Sequence, residues 1–321
     1  MKLNASEISN LLTSYLTNTM ASVLTADLLK KAESDDMRKM LELGLKIADE
    51  EVKGAEYFLR SDNRALPEPF TKKDVLRTDS KYWSDNYVVL LKYKMGLDAL
   101  NLYNLSYTTA INPEVKAFYK KILNETIELM DMLNELYIKM GMHKPLILIP
   151  KSETVEKVNK QFFLGFFHEN RPLSAPEVYQ LTNNYLSTEV FRELLRTCCQ
   201  TNTIELKEHF ERGKKICTKH LKTIQKKLEK DEIPHLPTWE FEVDTEGNAP
   251  FSDRLMLFKV SLIAGAAGGR FGVSASATLR KDLGISFLKM MGEILIFAED
   301  TGNLLIKYKM LDQPPMVKKI D

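Results

Sequence analysis

The sequence predicts an all-α protein built from two tandem four-helix bundles, and three observations lead to this fold class. Apolar residues recur at helical spacing through most of the 321-residue chain. Segments about 170 residues apart resemble each other, which indicates a duplicated unit. Capping residues, proline and glycine stand where the apolar patterns begin and end. Each unit therefore has four predicted helices.

The duplication is visible as ordered matches between the two halves of the chain. Residues 3–8 (LNASEI) are matched by residues 173–178 (LSAPEV) at an offset of 170. Further on, residues 83–85 (WSD) match residues 251–253 (FSD) at an offset of 168. The predicted organisation is a first bundle over residues 1–150, an apolar linker over 151–172 and a second bundle over 173–321.

The first helix of each copy opens with the residues of a capping box. Asn4 can cap the backbone while Glu7 reaches back to it, and Ser174 with Glu177 repeats the device. An apolar stripe at helical spacing then continues to Leu28. One pattern therefore predicts where both copies begin.

The other helices of the first copy have boundary patterns of their own. The second is predicted over about residues 35–60, and the third begins after the capping residue Ser84. The fourth is predicted from Asn112-Pro113 to Gly141, because proline suits the first helical position and glycine commonly ends a helix.

A long segment with prolines separates the second and third helices. Some twenty extended residues between Ser61 and Ser84 reach roughly 70 Å, whereas a helix of 25 residues is only about 37 Å long. The segment can therefore cross the whole bundle. One long crossover among four helices is the ferritin-like arrangement, which we expect in both copies; a plain up-down bundle with a flexible loop is the alternative.

The composition excludes several classes of protein. With 44% hydrophobic and 28% charged residues, a globular chain is expected. The net charge of +1 gives no reason to expect nucleic acid as a partner, and the basic runs at 214–215 and 226–227 are interpreted as solvated helix faces. Cys198, Cys199 and Cys217 are expected to be reduced thiols. Without a signal-peptide pattern or a transmembrane segment, a cytoplasmic location is expected.

Two stretches have no obvious place in this scheme. The apolar run from Phe162 to Phe167 is interpreted as packing between the bundles, with a docking patch as the alternative. Residues 264–277 combine four glycines with alanine and serine. Because a helical glycine costs up to about 1 kcal/mol relative to alanine, we expect close helix–helix approach there, within the bundle or across a homodimer. A slot for a small apolar ligand is the alternative.

The second copy contains motifs that resemble a known family. They are Arg171-Pro172-Leu173, Arg212-Gly213-Lys214, Pro250-Phe251-Ser252-Asp253-Arg254-Leu255-Met256, Arg280-Lys281-Asp282-Leu283, Ala298-Glu299-Asp300 and Gln313-Pro314-Pro315. Over essentially its whole length, the chain resembles the two-copy ferritin-like family of unknown function from endospore-forming bacteria, which is distantly similar to spore-coat proteins of the CotF type. The resemblance implies a ferritin-like fold and a link to sporulation. The motifs lie at caps and turns, so the resemblance supplies no catalytic residue.

A ferritin-like bundle raises the question of a di-iron centre. Such a centre uses Glu from two helices and Glu-x-x-His from the other two, and the sequence contains no Glu-x-x-His. The first copy offers an all-carboxylate set of Asp27, Glu51, Asp98 and Glu125. The second copy offers only a partial set of Glu193, His220 and Glu293. No metal or other cofactor is expected, although carboxylates alone can bind a hard cation.

These patterns favour a non-enzymatic helical scaffold or interaction protein, because the sequence indicates two well-formed bundles without an assembled polar centre. A protein partner or self-association is expected, and no catalytic residue is assigned. Two alternatives stay open: a ferritin-like metal-binding or redox protein with a degenerate centre, and a carrier of a small apolar ligand.

Overall fold

The computed structural model describes residues 2–151, 153–155, 157–158, 164 and 171–317, and their regular structure is helical. The α-helices in these residues are α1 (Ala5–Lys30), α2 (Asp35–Ser61), α3 (Asp85–Thr109), α4 (Pro113–Lys139), α5 (Ala175–Cys198), α6 (Ile204–Glu229), α7 (Asp253–Ala277) and α8 (Lys281–Lys307). The described residues also include a 3₁₀ turn at Lys72–Asp74 and an isolated bridge between Val75 and Phe251. The prediction of an all-α chain is confirmed.

The described chain divides into two compact units. Unit 1 contains residues 1–140, 249–256 and 304–321, and unit 2 contains residues 141–248 and 257–303. Helices α1 to α4 belong to unit 1, whereas α5, α6 and most of α7 and α8 belong to unit 2. Apart from Leu164, the apolar run from Phe162 to Phe167 lies outside the described residues.

The capping boxes predicted for the first helix of each copy are present. The backbone N–H of Glu7 donates to Asn4 Oδ1 at 3.0 Å, and the Glu7 carboxylate accepts the backbone N–H of Asn4 at 2.9 Å. In the second copy the backbone N–H and the hydroxyl of Ser174 donate to Glu177 at 2.9 and 2.8 Å. Both copies therefore begin with the same local structure.

Neighbouring helices in unit 1 run antiparallel. Asn10, early in α1, donates to Thr109 at the end of α3 at 3.3 Å. Asp36, early in α2, pairs with Lys139 at the end of α4. Short turns join α1 to α2 and α3 to α4. Because α1 is antiparallel to both α2 and α3, helices α2 and α3 are parallel to each other. The chain must therefore travel the length of the bundle between them.

The crossover of unit 1, residues 62–84, follows α1. The backbone N–H of Phe70 donates to Thr19 at 3.2 Å, and the hydroxyl of Tyr82 donates to Asp27 at 2.8 Å near the end of the same helix. Trp83 is buried at the end of the crossover. Buried aromatic side chains and hydrogen bonds to α1 thus fix the crossover to the bundle.

Unit 2 repeats this arrangement. Gln180, early in α5, accepts from Ser274 near the end of α7 at 2.7 Å, and Lys227 late in α6 pairs with Asp282 at the start of α8 at 2.8 Å. The segment from α6 to α7, residues 230–252, is hydrogen-bonded along α5. The two copies therefore share helix order and helix directions.

One of the described helices, α7, is long and apolar enough to cross a membrane by length and composition. Its most apolar window has a mean hydropathy of 1.3, and half of that window is buried in the protein. This is weak evidence for a membrane span, because the core helix of a water-soluble bundle has the same properties.

Candidate functional site

The three candidate ligands that the sequence offers in the second copy, Glu193, His220 and Glu293, do not all meet. His220 Nε2 donates to Glu293 Oε2 at 2.9 Å, and Lys219 also pairs with Glu293. His220 is buried, and burial lowers its pKa. Burial opposes ionisation of Glu293, but its bonds to Lys219 and His220 outweigh that effect and hold its pKa below the usual value.

Glu193, the third predicted ligand, is engaged in a different cluster. Its carboxylate accepts from Arg192 Nε at 2.9 Å and pairs with Arg196 Nε at 3.2 Å, and the side chain is fully buried. Burial nevertheless raises the pKa of Glu193. Among the described residues, no three His, Cys, Asp or Glu side chains form a group that could hold a metal ion.

The carboxylates of the first copy do not meet either. Asp27 accepts from Lys31 at 2.7 Å and from the hydroxyl of Tyr82 at 2.8 Å. Glu125 pairs with Lys46 at 3.1 Å across α2 and α4. Ion pairs and a hydrogen bond to other side chains thus engage these two members of the candidate set.

Glu51 is different, because it points into the middle of unit 1. Its side chain is 0% exposed, and neither carboxylate oxygen has a hydrogen bond of good geometry. Burial raises the pKa of Glu51 to about 8, and the nearby polar groups of Tyr103, Ser14 and Asn18 only partly offset that effect. The carboxyl group is therefore mostly protonated at neutral pH.

The side chains around Glu51 come from the other three helices. Ser14 Oγ and Tyr119 OH lie 3.1 Å apart, and Asn18 Nδ2 donates to Tyr103 OH at 3.5 Å. We call Ser14, Asn18, Glu51, Tyr103 and Tyr119 the polar centre. The expectation of two bundles without an assembled polar centre was wrong for unit 1, since each of its four helices contributes to this cluster.

The second copy has apolar residues at three of the five matching positions, while the buried polar residues Asn184 and Thr188 stand at those of Ser14 and Asn18. Leu221 stands at the position of Glu51, and Phe271 and Phe287 stand at those of Tyr103 and Tyr119, by the offsets of 170 and 168. The two phenylalanine rings have the same centroid separation, 6.4 Å, as the two tyrosine rings. The fold is therefore compatible with Leu, Phe and Phe, and the polar centre is a property of the first copy.

The outer surface of α7 and α8 is the second feature that distinguishes the copies. Leu288, Leu295 and Ile296 of α8 are 52%, 46% and 62% exposed. Beside them, a Cβ atom added to Gly265, Gly269 or Gly292 would have no neighbour within 4 Å. We call these residues the α7–α8 face: Gly265, Gly269, Leu288, Gly292, Leu295 and Ile296.

The same positions of the first copy are largely polar. Asn101, Lys120, Asn124 and Glu128 are exposed there, and they match Gly269, Leu288, Gly292 and Ile296 at an offset of 168. Leu295 is matched by Ile127, which is 45% exposed. The first copy thus covers this surface with amide and charged groups, whereas the second exposes aliphatic side chains and bare backbone.

The glycines of α7 fall into two groups. A Cβ on Gly268 would lie 2.8 Å from Leu295 Cδ2, and one on Gly272 would lie 3.3 Å from Met291 Sδ. These two glycines serve close packing of α7 on α8, and the side chains of α8 fill the space beside them. The close approach predicted from the sequence is therefore present inside the bundle, but it explains neither Gly265 nor Gly269.

Comparison with protein families agrees with the two-copy organisation. Residues 1–153 and 161–321 both match the family described as "Protein of unknown function (DUF3231)". The chain belongs to this family. Searches of curated proteins and of solved structures gave no match.

Although the net charge of this DUF3231 chain is only +1, helix α6 has a strongly basic face. Between Arg212 and Lys227 there are seven Lys or Arg residues and no Asp or Glu. Five of those lysines line an open cleft of about 420 Å³ along α6. Three of the cations, Arg212, Lys219 and Lys227, pair with acidic residues of α8.

The features that sequence reasoning missed in this DUF3231 chain were visible only as differences between the copies. Glu51 is one of the candidate carboxylates, whereas Tyr103 and Tyr119 stand out only beside the matching Phe271 and Phe287. Aligning the two copies position by position finds both the polar centre and the α7–α8 face, since each consists of substitutions at matching helical positions.

Proposed function

We propose that the protein is a scaffold of two ferritin-like helical bundles, over residues 1–150 and 173–321, joined by residues 151–172. The parallel α2 and α3 of unit 1 support the ferritin-like part, because only a long crossover allows two consecutive helices to point the same way. The protein acts without catalysis, by binding a protein partner through the α7–α8 face.

The observation that carries this proposal is the exposure of Leu288, Leu295 and Ile296 beside bare glycine backbone. Clustered apolar surface of this kind marks interaction sites. At three matching positions the first copy has Lys120, Asn124 and Glu128, so the fold does not require apolar residues there. Binding of a partner would remove the aliphatic surface from water and offset its exposure in the free protein.

A place in the sporulation programme is part of the proposal. It rests on the resemblance to the two-copy family of endospore-forming bacteria and to CotF-type spore-coat proteins. A scaffold that binds through an apolar surface is compatible with assembly into a protein layer. A cytoplasmic location during synthesis follows from the same proposal.

The test uses a spore-forming host from which the gene is deleted. The deletion strain is complemented with the natural chain, with Leu288→Lys/Ile296→Glu, or with Ile127→Lys as a control at the matching surface of the first copy. We expect a sporulation defect and a cross-linked partner that depend on the α7–α8 face. A deletion strain that sporulates normally, with no partner cross-linked to the natural chain, would contradict the proposal.

A second candidate function is favoured by the polar centre. A buried carboxyl group without a hydrogen bond of good geometry, surrounded by tyrosine, serine and asparagine, fits a degenerate ferritin-like centre for a hard cation. Elemental analysis of protein purified without chelators tests it. One metal ion per chain that is lost in Glu51→Leu/Tyr103→Phe/Tyr119→Phe, a variant that copies the second bundle's core, would support this candidate.

A further inference from the structure

We propose that copies of this chain associate head to tail, with lysines on helix α6 of one copy contacting carboxylates on helix α4 of the next. The contact uses one surface of unit 2 and one of unit 1, so it goes beyond the proposed function and does not involve the α7–α8 face. A contact between two different surfaces repeats from copy to copy and builds rings or filaments rather than two-fold dimers.

The first surface is a row of four exposed lysines along α6. They are spaced four, three and four residues apart, which places them on one side of the helix. We call them the basic row: Lys215, Lys219, Lys222 and Lys226. They line the open cleft of about 420 Å³ together with Lys214 and two threonines. In the part of the chain that the structure describes, only Lys219 of this row has an ion pair, with Glu293.

The second surface is a row of three exposed carboxylates on α4. Between residues 122 and 138 this helix has four acidic residues and no Lys or Arg. Three of them form the acidic row: Glu128, Asp131 and Glu135. The fourth, Glu125, is bonded to Lys46 of α2, and the same lysine attracts Glu128 from a greater distance. Within the described ranges, no member of the acidic row has an ion pair of its own.

The two rows match each other in spacing. The carboxylates are three and four residues apart, and the first three lysines are four and three residues apart. Two antiparallel helices with the same rise per residue therefore bring one lysine opposite each carboxylate. The facing pairs are Glu128 with Lys222, Asp131 with Lys219, and Glu135 with Lys215. The remaining lysine, Lys226, then faces the amide of Asn124.

Charges beyond the ends of the rows continue the match and select the direction. The end pairs of the antiparallel arrangement are Lys121 with Glu229 and Lys139 with Glu211, each on the same side of its helix as the row. A parallel arrangement also brings the rows together, but it sets Lys121 opposite Arg212 and Lys139 opposite Lys230. Like charges repel, so the antiparallel arrangement is the complementary one.

The fold itself requires neither row. The positions that match the basic row at an offset of 170 are Leu45, Asp49, Val52 and Glu56, and those that match the acidic row at an offset of 168 are Ile296, Glu299 and Asn303. Like charges three or four residues apart on a helix destabilise it, and contact with the opposite row removes that repulsion. Because each row repels its own equivalent, the contact joins different surfaces of two copies.

The contact is expected to be weak and electrostatic. The facing segment from Lys121 to Lys139 is about 27 Å long and one helix wide, which is far less than the roughly 800 Å² that a partner buries in a stable interface. Complementary charges at this contact provide orientation and rapid association more than affinity, and salt screens them. Assembly therefore takes place where the chain is concentrated.

The experiment is static light scattering of the full chain from about 0.05 to 1 mM, the range in which weak contacts populate. The average mass should rise with concentration at about 20 mM salt and should return to that of the monomer at about 500 mM salt. Two variants neutralise one row each: Lys215→Gln/Lys222→Gln/Lys226→Gln and Glu128→Gln/Asp131→Asn/Glu135→Gln. Each alone should associate about tenfold more weakly, because it loses three exposed ion pairs.

An equimolar mixture of these two variants distinguishes the head-to-tail contact from any symmetric one. Each variant keeps one intact row, so the mixture should form a one-to-one pair and nothing larger. Lys53→Gln/Lys72→Gln/Lys73→Gln removes the same number of exposed positive charges elsewhere and should assemble like the natural chain. Circular dichroism of every variant shows whether loss of assembly is loss of fold.

A carbodiimide, which joins a carboxylate to an amine that touches it, locates the contact. A mixture of chains labelled with ¹⁴N and ¹⁵N should give cross-linked peptides of both isotopes that join Asp131 to Lys219 and Glu135 to Lys215. Cross-links confined to single chains would show that the rows pair within one molecule and would overturn the inference.

Two further results would overturn it: a natural chain that is monomeric at about 1 mM in low salt, or an assembly that both neutralised variants leave intact. If the chain is monomeric and its basic row instead binds duplex DNA or anionic vesicles, the row serves a different polyanion and the inference fails. None of these results bears on the α7–α8 face, which is tested by its own variants in the sporulating host.

Discussion

Glu7 Oε1 accepts the backbone N–H of Asn112 at 2.7 Å, 105 residues further along the chain. The same oxygen accepts the N–H of Ile111 at 2.9 Å, while the other carboxylate oxygen completes the capping box of α1. In the second copy Glu177 makes the equivalent bond to the backbone N–H of Arg280 at 3.1 Å. One buried glutamate per copy therefore ties the start of its first helix to the turn before its fourth.

We expect Glu7→Ala to lower the free energy of unfolding by about 2 to 4 kcal/mol, since it removes charge-assisted hydrogen bonds and leaves buried N–H groups unsatisfied. Urea denaturation followed by circular dichroism measures the change. Glu128→Ala, at an exposed position, is the control and should change stability by less than about 0.5 kcal/mol. Equal effects of the two variants would show that the buried bonds contribute nothing.

Glu51 should make unit 1 less stable as the pH rises. Its pKa is raised from 4.5 to about 8 in the folded chain, so the folded state binds the proton more tightly than the unfolded state. The stabilisation from the protonated form is fully present below about pH 4.5 and is lost as the pH rises through 8. Over that interval the difference is about 3 to 5 kcal/mol.

The measurement is the stability difference between the natural chain and Glu51→Gln at pH 5 and pH 9, by hydrogen exchange of α1 to α4. Glu51→Gln should leave the free energy of unfolding nearly unchanged at pH 5 and should raise it at pH 9. The contributions of other titrating groups to stability cancel in this difference, provided that their pKa values are the same in both chains. A difference that does not change with pH would show that Glu51 stays in one protonation state in both folded and unfolded protein.

Two glycines should respond in opposite ways to alanine. A Cβ on Gly213 would lie 2.5 Å from Phe297 Cζ, and that ring is held by stacking on His209 at a centroid distance of 4.4 Å. Gly213→Ala should therefore cost about 1 to 3 kcal/mol through overpacking. Gly265→Ala meets no neighbour and should stabilise the monomer by about 0.5 to 1 kcal/mol.

Thermal unfolding followed by circular dichroism measures both glycine effects. A Gly265→Ala chain that is no more stable than the natural chain would show that the missing side chain costs nothing at this helical position.

His220 and Glu293 should act as a structural pair. We expect His220→Ala to lower stability by about 1 to 3 kcal/mol, because it leaves a partly buried carboxylate with one fewer donor. The metal content measured by elemental analysis should be the same in the natural chain and the variant. A metal ion present stoichiometrically and lost on this substitution would restore the pair as ligands.

The three cysteines should be unreactive in the folded protein. All three are buried, and burial raises the pKa of Cys199 to about 12, which keeps its thiol protonated. A thiol reagent at pH 8 should modify fewer than one residue per chain without denaturant and three in guanidinium chloride. Rapid modification of the native chain would indicate local opening of α5 or α6.

Much of the local structure could be predicted because its causes lie within a few residues. Asn4 and Glu7 are three residues apart, and Asn112 directly precedes a proline, so the helix starts are local events. The duplication was equally accessible, since ordered matches need only the sequence. The all-α class followed from the 3.6-residue period of the apolar side chains.

The candidate sites could not be predicted in the same way, because their members are far apart in the chain. Glu193 and His220 looked like partners on helical patterns, yet two arginines of α5 pair with Glu193, while Glu293 of α8 bonds to His220. Which side of a helix faces the bundle centre depends on how four helices rotate against one another. That rotation is set by side-chain packing and has no local cause.

The sequence by itself determined the helices, their caps, the two copies and the family resemblance, because each depends on short-range hydrogen bonding or on periodic burial. Only the tertiary structure decided that Glu51, Tyr103 and Tyr119 meet in a buried centre, and that Gly265 and Gly269 face outward while Gly268 and Gly272 pack on α8. The physical reason is that burial and exposure are properties of the assembled bundle. A residue's neighbours in space, rather than in sequence, set its solvation and hence its chemistry.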